Sequence, residues 1–124
     1  MKDILLVSIG AIFGVNTRFL IHHRLRKLEI ISNNSILLIN ILSSFSLGLF
    51  LSILPRISPL IFYYELVLFF SIGFLGSLST FSTFVYDLYD LFLQFNFSRA
   101  LKNFSISLTL GIISLVFGFF LGNL

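Results

Sequence analysis

Four long stretches of this 124-residue sequence carry almost no charge, and they constrain its fold more than any other feature. Residues 4–21 hold a single charged side chain, and residues 30–55, 66–86 and 103–124 hold none. A bilayer core about 30 Å thick is crossed by about 20 residues of helix. The pattern therefore predicts an all-α integral membrane protein with four transmembrane helices, near residues 4–22, 35–54, 62–92 and 101–123. The connections are short, which predicts a single membrane domain over residues 1–124.

The composition excludes most other classes of protein. Hydrophobic residues make up 57% of the chain and charged residues 10%, whereas soluble domains carry about 25% charged residues. The net charge of +3 forms no basic stripe that could follow a phosphate backbone. The absence of cysteine excludes disulfides and thiolate metal sites. Since no nucleophile–base pair or metal-ligand cluster is recognisable, the sequence predicts a membrane protein that is not an enzyme.

Lysine and arginine are distributed unevenly between the two ends of the predicted helices. With four spans, Lys2 and Arg56 fall on one side. The other side holds Arg18, Arg24, Arg26, Lys27, Arg99 and Lys102. Short connections rich in these residues stay in the cytoplasm, so both termini are expected to face outward. The one-sided bias also predicts insertion in a single orientation, with His22 and His23 at the cytoplasmic surface.

Small residues recur every three or four positions in three of the blocks, and each row occupies one helix face. The rows are Gly10 and Gly14 ahead of Arg18; Asn40, Ser44, Gly48 and Ser52; and Asn103, Ser107, Gly111, Ser114, Gly118 and Gly122. Because small residues let helices approach closely in lipid, the rows predict helix packing. Asn40 is also a candidate site residue, since a buried amide in mid-membrane costs free energy unless it is bonded.

The third block is longer than one straight span needs, and its centre is a poor helix former. Residues 73–84, GFLGSLSTFSTF, contain two glycines and five serines or threonines, which predicts a third helix broken near its middle. A break at membrane depth offers carbonyls to a cation and amides to an anion, although a packed kink would explain the same composition. Phe81 and Phe84 follow at i and i+3. Their ring edges could hold a small anion, with lipid contact or packing as the alternative.

Three motifs in register resemble those of the small bacterial fluoride channels called Fluc or CrcB, over essentially the whole chain. Residues 10–19, GAIFGVNTRF, are similar to the family's G-A-x-x-G-x-x-x-R-[YF] element, and Asn40 with Gly48 resembles its N-x-x-G-x-x-x-x-G element. Residues 73–84 are similar to G-F-x-G-G-[LF]-T-T-F-S-T-F. Departures from the family pattern occur at Ser43 and Ser77, which replace glycines, at Ser79, which replaces threonine, and at Asn103, which stands where tyrosine is frequent.

The resemblance implies an antiparallel dimer in the bacterial inner membrane that exports fluoride by passive conduction and so lowers its toxicity. It also implies a structural, untransported Na⁺ held by the backbone carbonyls of Gly76 and Ser79. The implied fluoride path is lined by the amide of Asn40, the rings of Phe81 and Phe84, the polar groups of Ser82 and Thr83, and Arg18 near the cytoplasmic vestibule.

Three alternatives remain open from the sequence. Some members of the family pair two oppositely oriented chains, and the charge bias favours such a heterodimer over a homodimer. A non-conducting or partner-dependent subunit would also account for the replaced glycines. A small multidrug exporter has a similar size but needs a carboxylate embedded in its first helix, and residues 4–21 contain none. Glu65, Asp87 and Asp90 lie near predicted helix ends, which argues against a proton-coupled site.

Overall fold

The computed structural model describes residues 1–27, 35–57 and 60–124. The helices are α1 (Lys2–Lys27), α2 (Ser35–Ile57), α3 (Leu60–Leu66), a π-helical segment (Val67–Leu75), α4 (Gly76–Leu78), α5 (Phe81–Leu93) and α6 (Phe97–Asn123). Within these ranges, four stretches are long and apolar enough to cross a membrane: Lys2–Arg24, Ile36–Ile57, Phe62–Leu93 and Phe97–Asn123. The chain is therefore a multi-pass, all-α membrane protein with four spans, as predicted.

The last connection is shorter than the sequence suggested, because α6 begins at Phe97 and not near residue 101. Phe95 adopts a left-handed conformation with φ 55°. This allows the amides of Phe95 and Asn96 to turn back to the carbonyls of Phe92 and Leu91, each at 3.0 Å. Three residues thus suffice to close α5 and start α6. The other two connections, residues 28–34 and 58–59, lie outside the described residues.

The helix α2 also continues further than predicted, through Pro55 to Ile57. A proline in a helix interior removes one backbone hydrogen bond and crowds the preceding turn. Pro55 lies in the last turn of α2, so only the end of the helix is affected. The second span consequently ends three residues later than the proline alone would suggest.

The rows of small residues bring the helices together in two pairs. Gly10 and Gly14 on α1 face the backbone of the third span, where a Cβ added at Gly73 would lie 2.7 Å from the Val7 oxygen. Gly48 on α2 faces α6, and Gly118 on α6 faces the backbone of α2. The predicted helix packing is confirmed, because at these positions only hydrogen fits between the two backbones.

Polar contacts tie the helix ends together at one end of the bundle. Lys2 forms an ion pair with Glu65, and Tyr64 donates to Asp3 at 3.2 Å. The Arg56 guanidinium donates to the backbone oxygen of Asn123 at 2.9 Å, where the last carbonyls of α6 lack partners within the helix. The N-terminus, the end of α2, the helix α3 and the end of α6 therefore share one end, as four spans require.

Most large apolar side chains lie on the outside of the single chain, which is typical of helices that face lipid. The interior is small. Ile39, Leu75 and Leu78 form a buried cluster, against which Ile21, Leu47 and Phe74 pack. This cluster joins α1 and α2 to residues 74–78 of the third span. It therefore holds the part of the third span that directly precedes Ser79 and Thr80.

Candidate functional site

The third span is interrupted between Leu78 and Phe81. Ser79 has ψ 149° and Thr80 has φ −130° and ψ 104°, so both residues are extended between α4 and α5. The predicted break near the middle of the third helix is confirmed. The preceding π-helical segment was not predicted; the Gly76 amide bonds the Ser71 oxygen there, one residue further back than in an α-helix. Helix segments of this kind are rare and frequently occur at functional sites.

The amide of Thr80 is bonded by a side chain from α2. In a continuous helix this N–H would donate to the Gly76 oxygen; here it donates to Oδ1 of Asn40 at 2.9 Å. The bond fixes the orientation of the Asn40 amide, because only its oxygen can accept. The two hydrogens on Nδ2 are then the donors that Asn40 can offer to an anion.

The hydroxyl of Thr80 is bonded by a side chain from α1. Arg18 Nη1 donates to Thr80 Oγ1 at 2.8 Å. Because this hydroxyl oxygen accepts from Arg18, its own proton remains available for another acceptor. Thr80 is 8% exposed, and it joins α1, α2 and the break at one point. Two site residues predicted from separate helices, Arg18 and Asn40, thus meet at the broken third span.

The sequence did not single out Thr80 as a site residue. The available signal was a threonine immediately before an apolar helix, which is typical of an N-cap. Thr80 is the N-cap residue of α5, yet its side chain makes no capping bond and accepts from Arg18 instead. Helix-capping rules would therefore have placed the residue correctly but assigned its hydroxyl to the wrong partner.

Ser77 holds α1 against the third span just before the break. Its hydroxyl lies 3.1 Å from the backbone oxygens of both Ala11 and Phe74. A Cβ added at Gly14 would overlap this hydroxyl and the Phe74 oxygen. The Ser77 hydroxyl is thus accommodated because the facing residue on α1 is a glycine. The contact keeps the part of α1 that carries Arg18 in register with Thr80.

We expect Ser77→Ala to lower the stability of the folded chain by about 0.6–1 kcal/mol, because an interhelical hydrogen bond in a membrane protein contributes about that much. The matched control is Ser46→Ala, since among the described residues the Ser46 hydroxyl donates to the Leu42 oxygen of its own helix. Heating in detergent followed by size-exclusion chromatography measures both variants. Equal losses of stability would show that the Ser77–Ala11 contact contributes nothing specific.

A cavity of about 240 Å³, here called the arginine cavity, opens beside the Arg18–Thr80 contact. Its described walls are Val15, Arg18, Phe19, His22, Ile36, Ile39, Thr80 and Thr83. The polar groups in this lining are one guanidinium, one imidazole and two hydroxyls, and they include no carboxylate. Positive charge with hydrogen-bond donors in a partly apolar cavity favours the binding of an anion.

The two predicted phenylalanines lie in different surroundings. Phe84 is half-buried and stacks on Phe104 with ring centroids 6.3 Å apart. It lines a second cavity of about 220 Å³, the aspartate cavity, with Ile36, Leu37, Asp87, Leu88, Asn103, Ile106 and Ser107. Phe81 is 78% exposed, and Ser82 is exposed beside it. The single chain therefore brings Arg18 and Thr83 to the arginine cavity and Phe84 to the aspartate cavity. Asn40 contacts the break through Thr80 and lines neither cavity, and Phe81 and Ser82 face outward.

The carbonyls predicted to hold Na⁺ lie at the break. The Gly76 oxygen has lost its helical partner, since the Thr80 amide donates to Asn40. Among the described residues, the Ser79 hydroxyl approaches this oxygen at 3.4 Å. The Ser79 carbonyl belongs to the extended segment between α4 and α5. Both residues border a cavity of about 100 Å³ whose other described walls are Ser43, Ser44, Leu47, Ser71 and Leu75. The Ser71 hydroxyl is buried without a partner among the described residues. Carbonyl and hydroxyl oxygens of unwound helix fit a small hard cation.

Comparison with known proteins identifies the family of this chain. The profile described as CrcB-like protein, Camphor Resistance (CrcB), matches residues 5–119. A curated relative from Prochlorococcus marinus (strain NATL2A), named Fluoride-specific ion channel FluC 2, is 58% identical over 123 residues, which cover 99% of each chain. The matched residues therefore span Arg18 on α1, Asn40 on α2 and the break in the third span. The chain belongs to the CrcB family.

Proposed function

We propose that this chain forms a fluoride channel through which fluoride leaves the cytoplasm by passive conduction. Membership of the CrcB family and the name of the 58% identical relative support this function. The structural observation that carries it is the meeting of Arg18, Asn40 and Thr80 at an interrupted membrane helix. The activity is transport, and the protein is not an enzyme.

The chemistry of the break suits a small, strongly hydrated anion. An ion that enters the membrane must exchange water for protein groups, or the transfer costs many kilocalories per mole. The groups available are the Nδ2 hydrogens of Asn40, the hydroxyl protons of Thr80 and Thr83, and the charge of Arg18. Arg18 raises the local concentration of anions, whereas the neutral donors bind without holding the ion too tightly to leave. Phe84 adds a ring edge in the neighbouring cavity.

The remote alternative, a small multidrug exporter, is not favoured. Such an exporter requires a carboxylate embedded in its first helix, and the acidic residue of α1 is Asp3 in its first turn, bonded to Tyr64. Arg18 is the single charged residue in residues 4–21 of α1. A cation would be repelled there, while an anion would be attracted.

We further propose that two chains assemble antiparallel in the bacterial inner membrane around a structural Na⁺. The Gly76 and Ser79 carbonyls would be its ligands in each chain, and the ion would fix the two broken helices relative to one another. The charge bias, two cations against six, supports a single orientation per chain and hence a partner of opposite bias. This proposal favours a heterodimer over a homodimer.

Fluoride efflux from liposomes tests these proposals together. The chain is reconstituted alone and together with a CrcB-family chain of opposite charge bias, each with Na⁺ and with N-methylglucamine as the cation. We expect efflux with the partner and in Na⁺, and a loss of efflux without Na⁺. Full efflux from the chain alone would contradict the heterodimer, and efflux unaffected by Na⁺ would contradict the sodium site. Absence of efflux in every mixture would contradict the channel itself.

A further inference from the structure

His22 lies on α1 one turn beyond Arg18, and the two side chains occupy the same helix face. Both line the arginine cavity, together with the hydroxyl-bearing Thr80 and Thr83. The sequence alone places His22 at the cytoplasmic surface. Its position in the cavity wall places it beside an ion that approaches Arg18.

Resting on the proposed channel function, we propose that His22 is a second anion-binding residue at the mouth of the fluoride path, and that its protonation strengthens anion capture. An imidazole changes charge between pH 5 and 8, where no other ordinary side chain does. Protonated His22 adds a positive charge at the cavity wall. Neutral His22 leaves Arg18 as the only cation in the cavity's described lining.

The charged neighbours determine whether the effect of His22 can be isolated. On the part of α1 whose side chains the structure describes, the other charged or titratable residues near His22 are Arg18, His23 and Arg24. The cavity walls contributed by α2 are the apolar Ile36 and Ile39, and those from the break and α5 are two threonines. Asp87 of α5 faces the aspartate cavity. His23 stacks on Phe19 at 6.2 Å, so it offers a matched histidine that is not part of the cavity lining described above.

The size of the effect follows from Coulomb's law. One unit charge about 7 Å from an anion in a water-like medium changes its local concentration by a factor of about three. We therefore expect fluoride efflux to rise about two- to four-fold from pH 8 to pH 6. The efflux is measured at low ionic strength, because exposed charges are screened least when little salt is present.

The test uses liposomes holding whichever assembly conducts, at equal pH on both sides, with protein-free vesicles subtracted. We expect His22→Gln to remove the pH dependence and His23→Gln to retain it. His22→Lys should give the higher rate at both pH values, because its charge is permanent in this range. A pH dependence that survives in His22→Gln, or a wild-type rate that is flat, overturns the proposal.

A binding measurement separates this inference from the channel function. Sodium fluoride is added at pH 6 to the labelled protein in detergent, and the imidazole resonances are followed by NMR. We expect the signals of His22 to shift more than those of His23, whether or not the protein conducts. Equal shifts, or none, would show that His22 does not contact the anion.

Discussion

Gly48→Ala should prevent the stable pairing of α2 with α6, with a loss of about 3 kcal/mol or more. A Cβ at this position would lie 2.9 Å from both the Leu115 carbonyl carbon and the Phe119 nitrogen, and closer still to the Leu115 oxygen. These are backbone atoms, so no change of rotamer can relieve the overlap, and the two helices must separate. Overpacking typically costs 1–3 kcal/mol where side chains can adjust, and more where they cannot.

The same pair of helices supplies a matched control, Gly111→Ala. A Cβ at Gly111 would lie 3.7 Å from the Ser44 hydroxyl, an ordinary van der Waals contact. We expect this variant to be neutral or slightly stabilising, because alanine favours helix by about 1 kcal/mol over glycine. Heating in detergent followed by size-exclusion chromatography compares the two. If Gly48→Ala survives heating as well as Gly111→Ala, the close approach of α2 to α6 is wrong.

The contrast between these two glycines shows what the sequence could predict. The spacing of small residues is a local property, and it correctly indicated one packed face on each of three helices. It could not show which faces meet, because partner choice depends on the whole bundle. It also could not separate Gly48 from Gly111, since both belong to rows with the same spacing. Only the crossing of the backbones distinguishes a required glycine from a tolerated one.

The candidate site also contains features that the sequence predicted and features that it could not predict. The break was predictable because glycine, serine and threonine in residues 73–84 disfavour a continuous helix. The π-helical segment at Val67–Leu75 was not, because its apolar sequence reads as ordinary membrane helix. Asn40 was predicted as a site residue because it is a polar amide in an apolar helix, whereas the site role of Arg18 was implied by the family resemblance. Their common partner Thr80 was missed, because serines and threonines are frequent in this part of the chain and only distances single one out.

Asn40→Asp should abolish fluoride conduction while leaving the fold intact. Aspartate has the same size and keeps an oxygen to accept the Thr80 N–H, which now lies 2.9 Å from Oδ1. It replaces the Nδ2 donors by a second, negatively charged oxygen. Removing a hydrogen bond to a charged ion costs about 1.5–3 kcal/mol, and repulsion between like charges adds to this. The proposed role of Asn40 therefore predicts that efflux at pH 8, where the carboxylate is ionised, falls at least about 100-fold.

The control variants separate structure from conduction. Asn123→Asp makes the same change at the opposite end of the bundle, where an oxygen at 3.3 Å accepts from Arg56, and it should leave efflux unchanged. Asn40→Leu removes the acceptor as well as the donors, so it should also lower stability by about 1–3 kcal/mol, because the Thr80 amide would be left unbonded. Efflux per reconstituted protein and survival on heating are measured for all three. Wild-type efflux from Asn40→Asp would exclude the Asn40 amide as a fluoride ligand, whereas equal destabilisation by Asp and Leu would show that the bond to Thr80 does not stabilise the break.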